Sequence, residues 1–157
     1  MAIDDFTPVV ADDARLTVEC LVPNGLKKSD IEPLNRLLIE FSPRAKPLTF
    51  TEWHDMTITN FLFVVRTNEG TLVGMATLLI NRIPTGTIGL VEDVVVTEKY
   101  QGKGAGKKLM QYLIQVAKER NLKQLDLTSR RSRTEANRLY QKLGFDYRET
   151  NNYRLTL

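Results

Sequence analysis

The sequence VEDVVVTEKYQGKGAGKKLM, residues 91–110, contains three consecutive patterns that predict a strand, a loop and a helix. Val94, Val95 and Val96 form a β-branched run, which favours an extended, buried strand. Glycines then fall at positions 102, 104 and 106, where the main chain can turn tightly and approach a ligand closely. Apolar residues recur at helical spacing after this loop: Leu109, Met110, Leu113, Ile114 and Ala117. A helix that begins in a glycine loop presents free N–H groups and the positive end of its dipole, so the segment predicts a phosphate site.

Two common phosphate motifs do not match this loop. A Walker loop needs glycine where Gln101 stands, and serine or threonine where Lys108 stands. A dinucleotide fingerprint that starts at Gly102 needs glycine where Lys107 stands. The order Gln101, two residues, Gly104, one residue, Gly106 instead resembles the acyl-CoA pyrophosphate loop of the GNAT superfamily of N-acetyltransferases. The pattern of that loop is Arg or Gln, two residues, Gly, one residue, Gly or Ala.

A second segment carries the same resemblance. Residues 136–145 read ANRLYQKLGF and are similar to the late helix of that family, which ends in a Leu-Gly-Phe segment. The resemblance covers residues 61–157 well, while residues 15–60 fit the family's variable strand and helix pair without a motif. It implies an α/β fold with a central mixed, mostly antiparallel twisted sheet of about six or seven strands, flanked by about four helices. This sheet is expected to splay at the acetyl-CoA strand.

Length and composition indicate one globular domain over residues 1–157, with 42% hydrophobic and 26% charged residues. Residues 1–13 are polar and predict a flexible arm. The sequence has no long apolar run and does not open like a signal peptide, so no membrane segment is expected. The single cysteine, Cys20, fits a reducing compartment, and a cytoplasmic location is expected. Cys20 itself is interpreted as a small core residue.

The remaining segments predict the elements around the central motif. Before it we expect a strand, two helices and two antiparallel strands, at residues 16–22, 31–42, 49–60, 61–66 and 71–81. After it we expect a parallel strand at residues 121–128, a helix at 135–143 and a final hairpin of residues 145–149 and 152–157. Trp53 is expected in the core and His54 at the surface. No metal site is predicted, since His54 is the only histidine and has no cysteine close by.

The resemblance implies which residues hold acetyl-CoA, the expected co-substrate. The pantetheine arm pairs with the main chain of the central strand, and an N–H of Val94 or Val96 polarises the thioester carbonyl. Asn137 hydrogen-bonds the same arm, and the loop amides cradle the pyrophosphate. The complete expected set is Val94, Val95, Val96, Gln101, Gly102, Lys103, Gly104, Ala105, Gly106, Lys107, Asn137 and Tyr140.

Two candidate residues supply acid–base chemistry. An alkyl amine has a pKa near ~10.4 and must lose a proton before it attacks, which a nearby carboxylate can accept directly or through water. Glu92 and Asp93 follow each other on the strand and are expected to point to opposite sides. The family's base position matches Glu92 best, which leaves Asp93 as a structural or neighbouring charge. Tyr140 is the candidate acid for the departing CoA thiolate, with a core aromatic as the alternative.

Arg130, Arg131, Arg133 and Arg138 form a basic group with two open interpretations, a solvated surface or an anion clamp for the CoA 3′-phosphate or an acidic acceptor. Nucleic-acid binding is not expected, because the net charge is only +3 and no aromatic residues interleave with the arginines. The sequence therefore predicts an acetyl-CoA-dependent N-acetyltransferase that acts by direct attack on a small-molecule or protein amine. The alternative is an acyl-CoA-binding sensor without turnover. A homodimer through the late strands is possible.

Overall fold

A computed structural model describes residues 9–10 and 15–157 of the chain. Within these residues, six strands form one sheet: β1 (Val9–Val10), β2 (Leu16–Leu21), β3 (Phe61–Thr67), β4 (Leu72–Ile83), β5 (Gly86–Val96) and β6 (Gln124–Leu127). The same part of the chain contains four α-helices: α1 (Ile31–Phe41), α2 (Phe50–Thr59), α3 (Ala105–Glu119) and α4 (Thr134–Lys142). The predicted mixed α/β fold is confirmed. The arm predicted over residues 1–13 lies outside the described residues except for β1, whose Val9 pairs with Val18 of β2.

The sheet is antiparallel except at one edge. Its strands follow one another in chain order, and only β5 and β6 run parallel, joined by α3. Their pairing begins at Ile88 with Gln124 and ends at Val91 with Leu127, whereas β5 continues to Val96. Pairing therefore stops at Val91, where β6 ends, and within the described chain residues 92–96 have no strand partner on this side, as the expected splay requires. We call the open side of residues 92–96 the splay.

Two hydrophobic clusters cover the two faces of the sheet. The cluster on the α3 face contains Phe63, Leu109, Leu113 and Tyr140, and Cys20 packs against it as predicted. Burial raises the pKa of the Cys20 thiol to about 12, although the Arg120 charge opposes this and Glu19 adds to it, so the thiol stays protonated. The cluster on the other face holds side chains of α1 and α2 against the sheet: Leu34, Leu37, Trp53, Leu62 and Val95.

Trp53 is a core residue, as its sequence context predicts. Only 2% of its surface is exposed, and its indole Nε1–H donates to Asn35 Oδ1 at 3.0 Å. The same Asn35 side chain exchanges two hydrogen bonds with the main chain of Leu48, at 2.8 and 2.9 Å. Asn35 thus fixes the α1–α2 connection to both helices.

A β-bulge interrupts β5 at the acidic pair. Thr77 of β4 pairs with Glu92 and Met75 with Val95, so that Asp93 and Val94 together lie opposite one residue of β4. Asp93 takes the left-handed conformation, with φ of 52°. The extra residue reverses the facing of the strand, because Val91 and Val94 both lie on the α3 face while Val95 lies on the other. The expectation that Glu92 and Asp93 point to opposite sides assumed that side chains alternate regularly along β5. The bulge interrupts this alternation immediately after Glu92.

The predicted final hairpin is wrong. Residues 145–157 contain no strand, and the large side chains of Tyr153, Leu155 and Leu157 are exposed. Phe145 packs against the core cluster and Arg148 pairs with Asp126 of β6 at 3.3 Å. Alternation of apolar residues is insufficient here, since an isolated two-stranded hairpin has too few partners to be stable.

Candidate active site

The glycine loop adopts the conformation that its composition predicts. Gly102 and Gly104 have positive φ angles of 71° and 87°, which only glycine adopts readily. Gly104 is the N-cap of α3, and a Cβ at either position would meet no heavy atom of the described chain within 4 Å. Glycine is therefore needed for the turn itself, and the space beside both residues is open to a ligand.

The first turn of α3 supplies main-chain donors beside this open space. The first helical hydrogen bond is the one from Lys108 N–H to the Gly104 carbonyl, at 3.0 Å. The N–H groups before it have no carbonyl partner within the helix, and they belong to Ala105, Gly106 and Lys107. Ala105 is fully buried, while Gln101, Gly102, Lys103, Gly104 and Lys107 are exposed. A helix of 15 residues also directs the positive end of its dipole here. The loop is thus suited to an anion.

Gly106 marks where three elements converge. A Cβ at this position would lie 3.6 Å from Leu139 of α4 and 3.7 Å from Val96 of β5, both ordinary contact distances. The start of α3, the end of β5 and the middle of α4 therefore meet beside the splay. The two sequence motifs, which are separated along the chain, are brought together by this packing.

Gln101 ties the loop to the strand. Its side-chain nitrogen donates to the carbonyl oxygen of Val96 at 2.9 Å. The N–H of Thr97 donates to Val73 of β4 at 2.9 Å. Because main-chain groups alternate in direction along a strand, the N–H of the preceding residue, Val96, points away from β4 and into the splay.

The acidic pair lies on β5 where the splay begins. Glu92 is half-buried, and its pKa is raised by burial and by the Asp93 charge, while Arg154 opposes the rise. Neighbouring protein atoms also desolvate the Asp93 carboxyl and raise its pKa. Thr77 pairs with both Glu92 and Leu62, which places Glu92 on the α1–α2 face. Both carboxyls are stronger bases than free ones and stand beside the open strand.

Helix α4 brings Tyr140 to the α3 side of the splay. Tyr140 is 8% exposed and belongs to the cluster against which Val94 and Val96 pack. Its ring contacts Phe145 edge to face, with centroids 6.0 Å apart. Burial raises the pKa of its hydroxyl and the Arg133 charge opposes the rise, so the hydroxyl carries its proton at neutral pH.

Asn137 and the arginines organise the segment before α4. The side-chain nitrogen of Asn137 donates to the carbonyl of Arg130 at 3.0 Å, so this amide holds the basic loop in place. Arg138 pairs with Glu135 at 2.9 Å on the exposed side of the helix. Arg133 lies over the ring of Phe41, with its guanidinium carbon 4.7 Å from the centroid. Arg130 and Arg131 are exposed.

One contact at the site has no signal in the sequence. The carboxylate of Glu40, next to the last residue of α1, accepts a hydrogen bond from the N–H of Glu98 at 2.7 Å. Glu98 begins the 3-10 turn Glu98–Tyr100, which leads directly into the glycine loop. The two glutamates are 58 residues apart in the chain, so only the packing of α1 on the sheet brings them together.

Clusters that could hold a metal ion and helices that could span a membrane are both absent from the described residues. Among them, no group of three or more His, Cys, Asp or Glu side chains is arranged to hold a metal ion. His54 lies 3.6 Å from Asp55 on α2 and is partly exposed. None of the helices in this part of the chain has the length and apolar character to span a membrane.

Fold and site together define a class of protein, in which a glycine loop suited to an anion connects a splayed strand to the helix that follows. Residues 31–145 match the model of the acetyltransferase (GNAT) family, and the chain belongs to this family. No curated protein is recognisably similar to it.

Solved structures share this architecture. An acetyltransferase from Trypanosoma brucei is 28% identical, with 90% of this chain and 99% of that chain covered and a TM-score of 0.75. Glucosamine-6-phosphate N-acetyltransferase from Arabidopsis thaliana is 20% identical, covers 89% and 97% of the two chains and has a TM-score of 0.69. An aminoglycoside acetyltransferase from an uncultured soil metagenomic sample is 18% identical, covers 92% and 98% and has a TM-score of 0.81.

Proposed function

We propose that this chain transfers the acetyl group of acetyl-CoA to a primary amine, by direct attack within a complex of enzyme and both substrates. The observation that carries the proposal is the splay of β5 from β6 beyond Val91, followed at once by the glycine loop. An extended ligand that ends in phosphates needs an unpaired strand edge next to free amides. The match of residues 31–145 to the acetyltransferase family supports the same chemistry.

Acetyl-CoA would bind along the splay of β5 and the glycine loop. Its pyrophosphate accepts hydrogen bonds from the main chain of residues 101–107, and its pantetheine amides pair with the open edge at Val94 and Val96. The N–H of Val96 is the donor that we assign to the thioester oxygen, because it points into the splay while the Val96 carbonyl is bonded to Gln101. This donor would stabilise the oxyanion of the tetrahedral intermediate.

Glu92 is the proposed base. It accepts a proton from the ammonium form of the acceptor, directly or through water, and the neutral nitrogen attacks the thioester carbon. Its raised pKa makes it a more effective base at neutral pH than a solvated carboxylate. Asp93 raises that pKa further by its charge, so Asp93 acts on the reaction through Glu92.

Tyr140 is the proposed acid. As the carbon–sulfur bond of the tetrahedral intermediate breaks, its hydroxyl donates a proton to the CoA sulfur, and CoA departs as the thiol. The nitrogen then loses its extra proton through water to the tyrosinate, which restores the hydroxyl and leaves the neutral acetylated amine. A hydroxyl whose pKa is raised by burial remains protonated until this step. Its place beside Val94 and Val96, in the cluster that borders the splay, supports the assignment.

Several parts of the proposal concern partners and location. The acceptor is a small-molecule or protein amine, and Arg130 and Arg131 are exposed cations for the CoA 3′-phosphate or an acidic acceptor. A cytoplasmic location and a homodimer stay predictions. The dimer would use the exposed C-terminal residues. Size-exclusion chromatography with light scattering measures the molar mass in solution and tests this prediction.

The experiment is a calorimetric titration with acetyl-CoA, followed by measurement of CoA release against a panel of small amines, aminoglycosides and lysine peptides. Binding with turnover on one acceptor class supports the proposal and identifies that class. Binding without turnover on any acceptor favours an acyl-CoA sensor. Absence of binding refutes the proposal.

A further inference from the structure

The carboxyl-terminal end of α1 contacts both elements that border the splay. Glu40 accepts the N–H of Glu98, at the entrance to the glycine loop, with a distance of 2.7 Å. Its neighbour Phe41 lies under the guanidinium of Arg133, at the start of the helix that carries Tyr140. One helix end therefore connects the loop and α4 from the opposite face of the sheet.

The Glu40 contact falls at the start of a short chain of hydrogen bonds. The 3-10 turn Glu98–Tyr100 has Thr97 as its N-cap, and within the described chain the Thr97 side chain makes no capping hydrogen bond. Glu40 instead accepts the N–H of Glu98, the first residue of the turn. Beyond it, Tyr100 N–H donates to Thr97 at 2.8 Å and Gln101 N–H donates to Glu98 at 3.1 Å. The position of Gln101, the first residue of the loop, thus depends on the turn that Glu40 holds.

Helix α1 is a firm support for this contact. Its Leu34 and Leu37 are buried, at 0% and 3% exposure, in the cluster with Trp53 and Val95. This burial fixes the helix backbone that carries Glu40, whose side chain is itself exposed. A hydrogen bond to a charged acceptor is stronger than one between neutral groups. The glycine loop, by contrast, has little conformational restriction of its own.

We propose that Glu40 is a positioning residue that holds the turn Glu98–Tyr100, and through it the glycine loop, in the conformation that binds the pyrophosphate of acyl-CoA. This inference rests on the proposed function. Its physical basis is preorganisation, because a loop ordered before binding loses less conformational entropy when the ligand arrives. Glu40 makes no contact with the ligand in this scheme and acts through the main chain of Glu98.

The negative charge of Glu40 has an opposite effect on the affinity for acyl-CoA. A carboxylate near a phosphate site repels the ligand, so its removal should strengthen binding if charge alone matters. Positioning predicts the reverse for a variant that loses the acceptor. Glu40→Gln separates the two, since it removes the charge and keeps a carbonyl oxygen for the Glu98 N–H. Glu40→Ala removes both. Glu32→Ala, at the other end of α1 and only 4.0 Å from an exposed Arg36, is the matched control.

The first measurement is hydrogen exchange of the ligand-free full chain, read on a peptide that covers residues 98–107. We expect Glu40→Ala to exchange about threefold to tenfold faster there, as loss of one charge-assisted hydrogen bond implies. Glu32→Ala should match the wild type, and Glu40→Gln, which keeps a neutral acceptor, should lie between the wild type and Glu40→Ala. Thermal unfolding of each variant verifies that it is folded.

The second measurement is the Kd for acetyl-CoA by calorimetry on the same variants. We expect Glu40→Ala to raise Kd about threefold to tenfold, and Glu40→Gln to leave Kd unchanged or lower it. Unaltered exchange in Glu40→Ala, or a lower Kd in both Glu40 variants, overturns the inference. If the wild type binds and Glu40→Ala behaves like it, only this inference fails. If the wild type does not bind acetyl-CoA, the proposed function fails as well.

Discussion

The side-chain amide of Gln101 donates to the main-chain carbonyl of Val96 across a distance of 2.9 Å. This hydrogen bond fastens the first residue of the glycine loop to the last residue of β5. It also satisfies the one main-chain acceptor of Val96, while the N–H of the same residue points into the splay. Gln101 therefore fixes the position where the glycine loop begins. Because the Val96 carbonyl is occupied, the group that remains available at this position of the strand edge is a donor, the Val96 N–H.

Replacement of Gln101 by alanine tests this relationship. We expect Gln101→Ala to raise the Kd for acetyl-CoA by about threefold to tenfold, since a hydrogen bond is lost and the loop must be ordered on binding. The measurement is calorimetric titration, with Gln111→Ala on the exposed side of α3 as the control. Equal affinities for the two variants would show that the Gln101 side chain has no part in loop order.

Two glycines of the loop should respond differently to alanine. Gly104 has φ of 87°, so Gly104→Ala is strained and should lower the free energy of unfolding by about 1 kcal/mol. Gly106 lies in the first turn of α3, where a Cβ meets Leu139 at 3.6 Å and alanine favours the helix. Gly106→Ala should keep both the melting temperature and the affinity for acetyl-CoA, because its methyl group makes ordinary contacts with Leu139 and Val96 and the loop pattern accepts alanine at this position. Thermal unfolding and calorimetry measure the pair, and a stability loss in Gly106→Ala equal to that in Gly104→Ala would contradict this assignment.

The parts of the structure that the sequence predicts are local or come from strong periodicity. Strand β5, the glycine loop and α3 occupy one continuous segment, and each has its own signal in residues 91–119. The parallel pairing of β5 with β6 follows from the rule for strand–helix–strand units. Helix α2 begins with a capping box at Thr49 and Glu52, a local signal too, although the expectation of a helix at residues 49–60 rested on apolar spacing alone.

The features that sequence reasoning missed depend on pairing between distant segments. The bulge at Asp93 exists because β4 pairs with β5 in two registers, and the sequence of residues 91–96 alone does not predict it. Glu40 and Glu98 meet through the packing of α1. The buried Asp30 accepts hydrogen bonds from the Arg66 guanidinium and from Lys27 N–H, a tertiary arrangement of the same kind. The predicted C-terminal hairpin fails for a related reason. Alternation of apolar residues favours an extended chain, but it does not supply the neighbouring strand that a sheet needs.

Tyr140 and its proposed proton transfer can be tested by removal of one oxygen. We expect Tyr140→Phe to lower kcat by about 10²-fold or more, the range of general acid catalysis, while the Kd for acetyl-CoA stays the same. The ring packing against Phe145 is preserved, so the melting temperature should change little. Tyr147→Phe is the control, because Tyr147 is 77% exposed and distant from the core. Full turnover by Tyr140→Phe would remove this hydroxyl from the mechanism.

The assignment of Glu92 as base predicts a particular pH dependence. The carboxylate is active only when deprotonated, and its pKa is raised, so kcat/KM of the wild type should fall as the pH drops through a value above the ordinary 4.5 of a glutamate. Glu92→Gln should lower kcat/KM and lose this limb of the profile. Glu69→Gln, an exposed residue of the β3–β4 turn, is the control. A limb that persists at the same pH in Glu92→Gln would assign the base to another group.

The same shift makes a prediction about stability that is independent of turnover. A carboxyl whose pKa is higher in the folded state than in the unfolded state stabilises the fold when protonated, and this contribution is lost as the pH rises through the folded-state pKa. At neutral pH the ionised Glu92 is therefore unfavourable, because it is half-buried beside Asp93. We expect Glu92→Gln to raise the melting temperature at pH 7 relative to the wild type, and to have a smaller effect at pH 4, where the wild-type carboxyl is protonated. Differential scanning calorimetry at the two pH values measures this, and a variant that is less stable at pH 7 would mean that Glu92 makes a favourable ion pair in the folded chain.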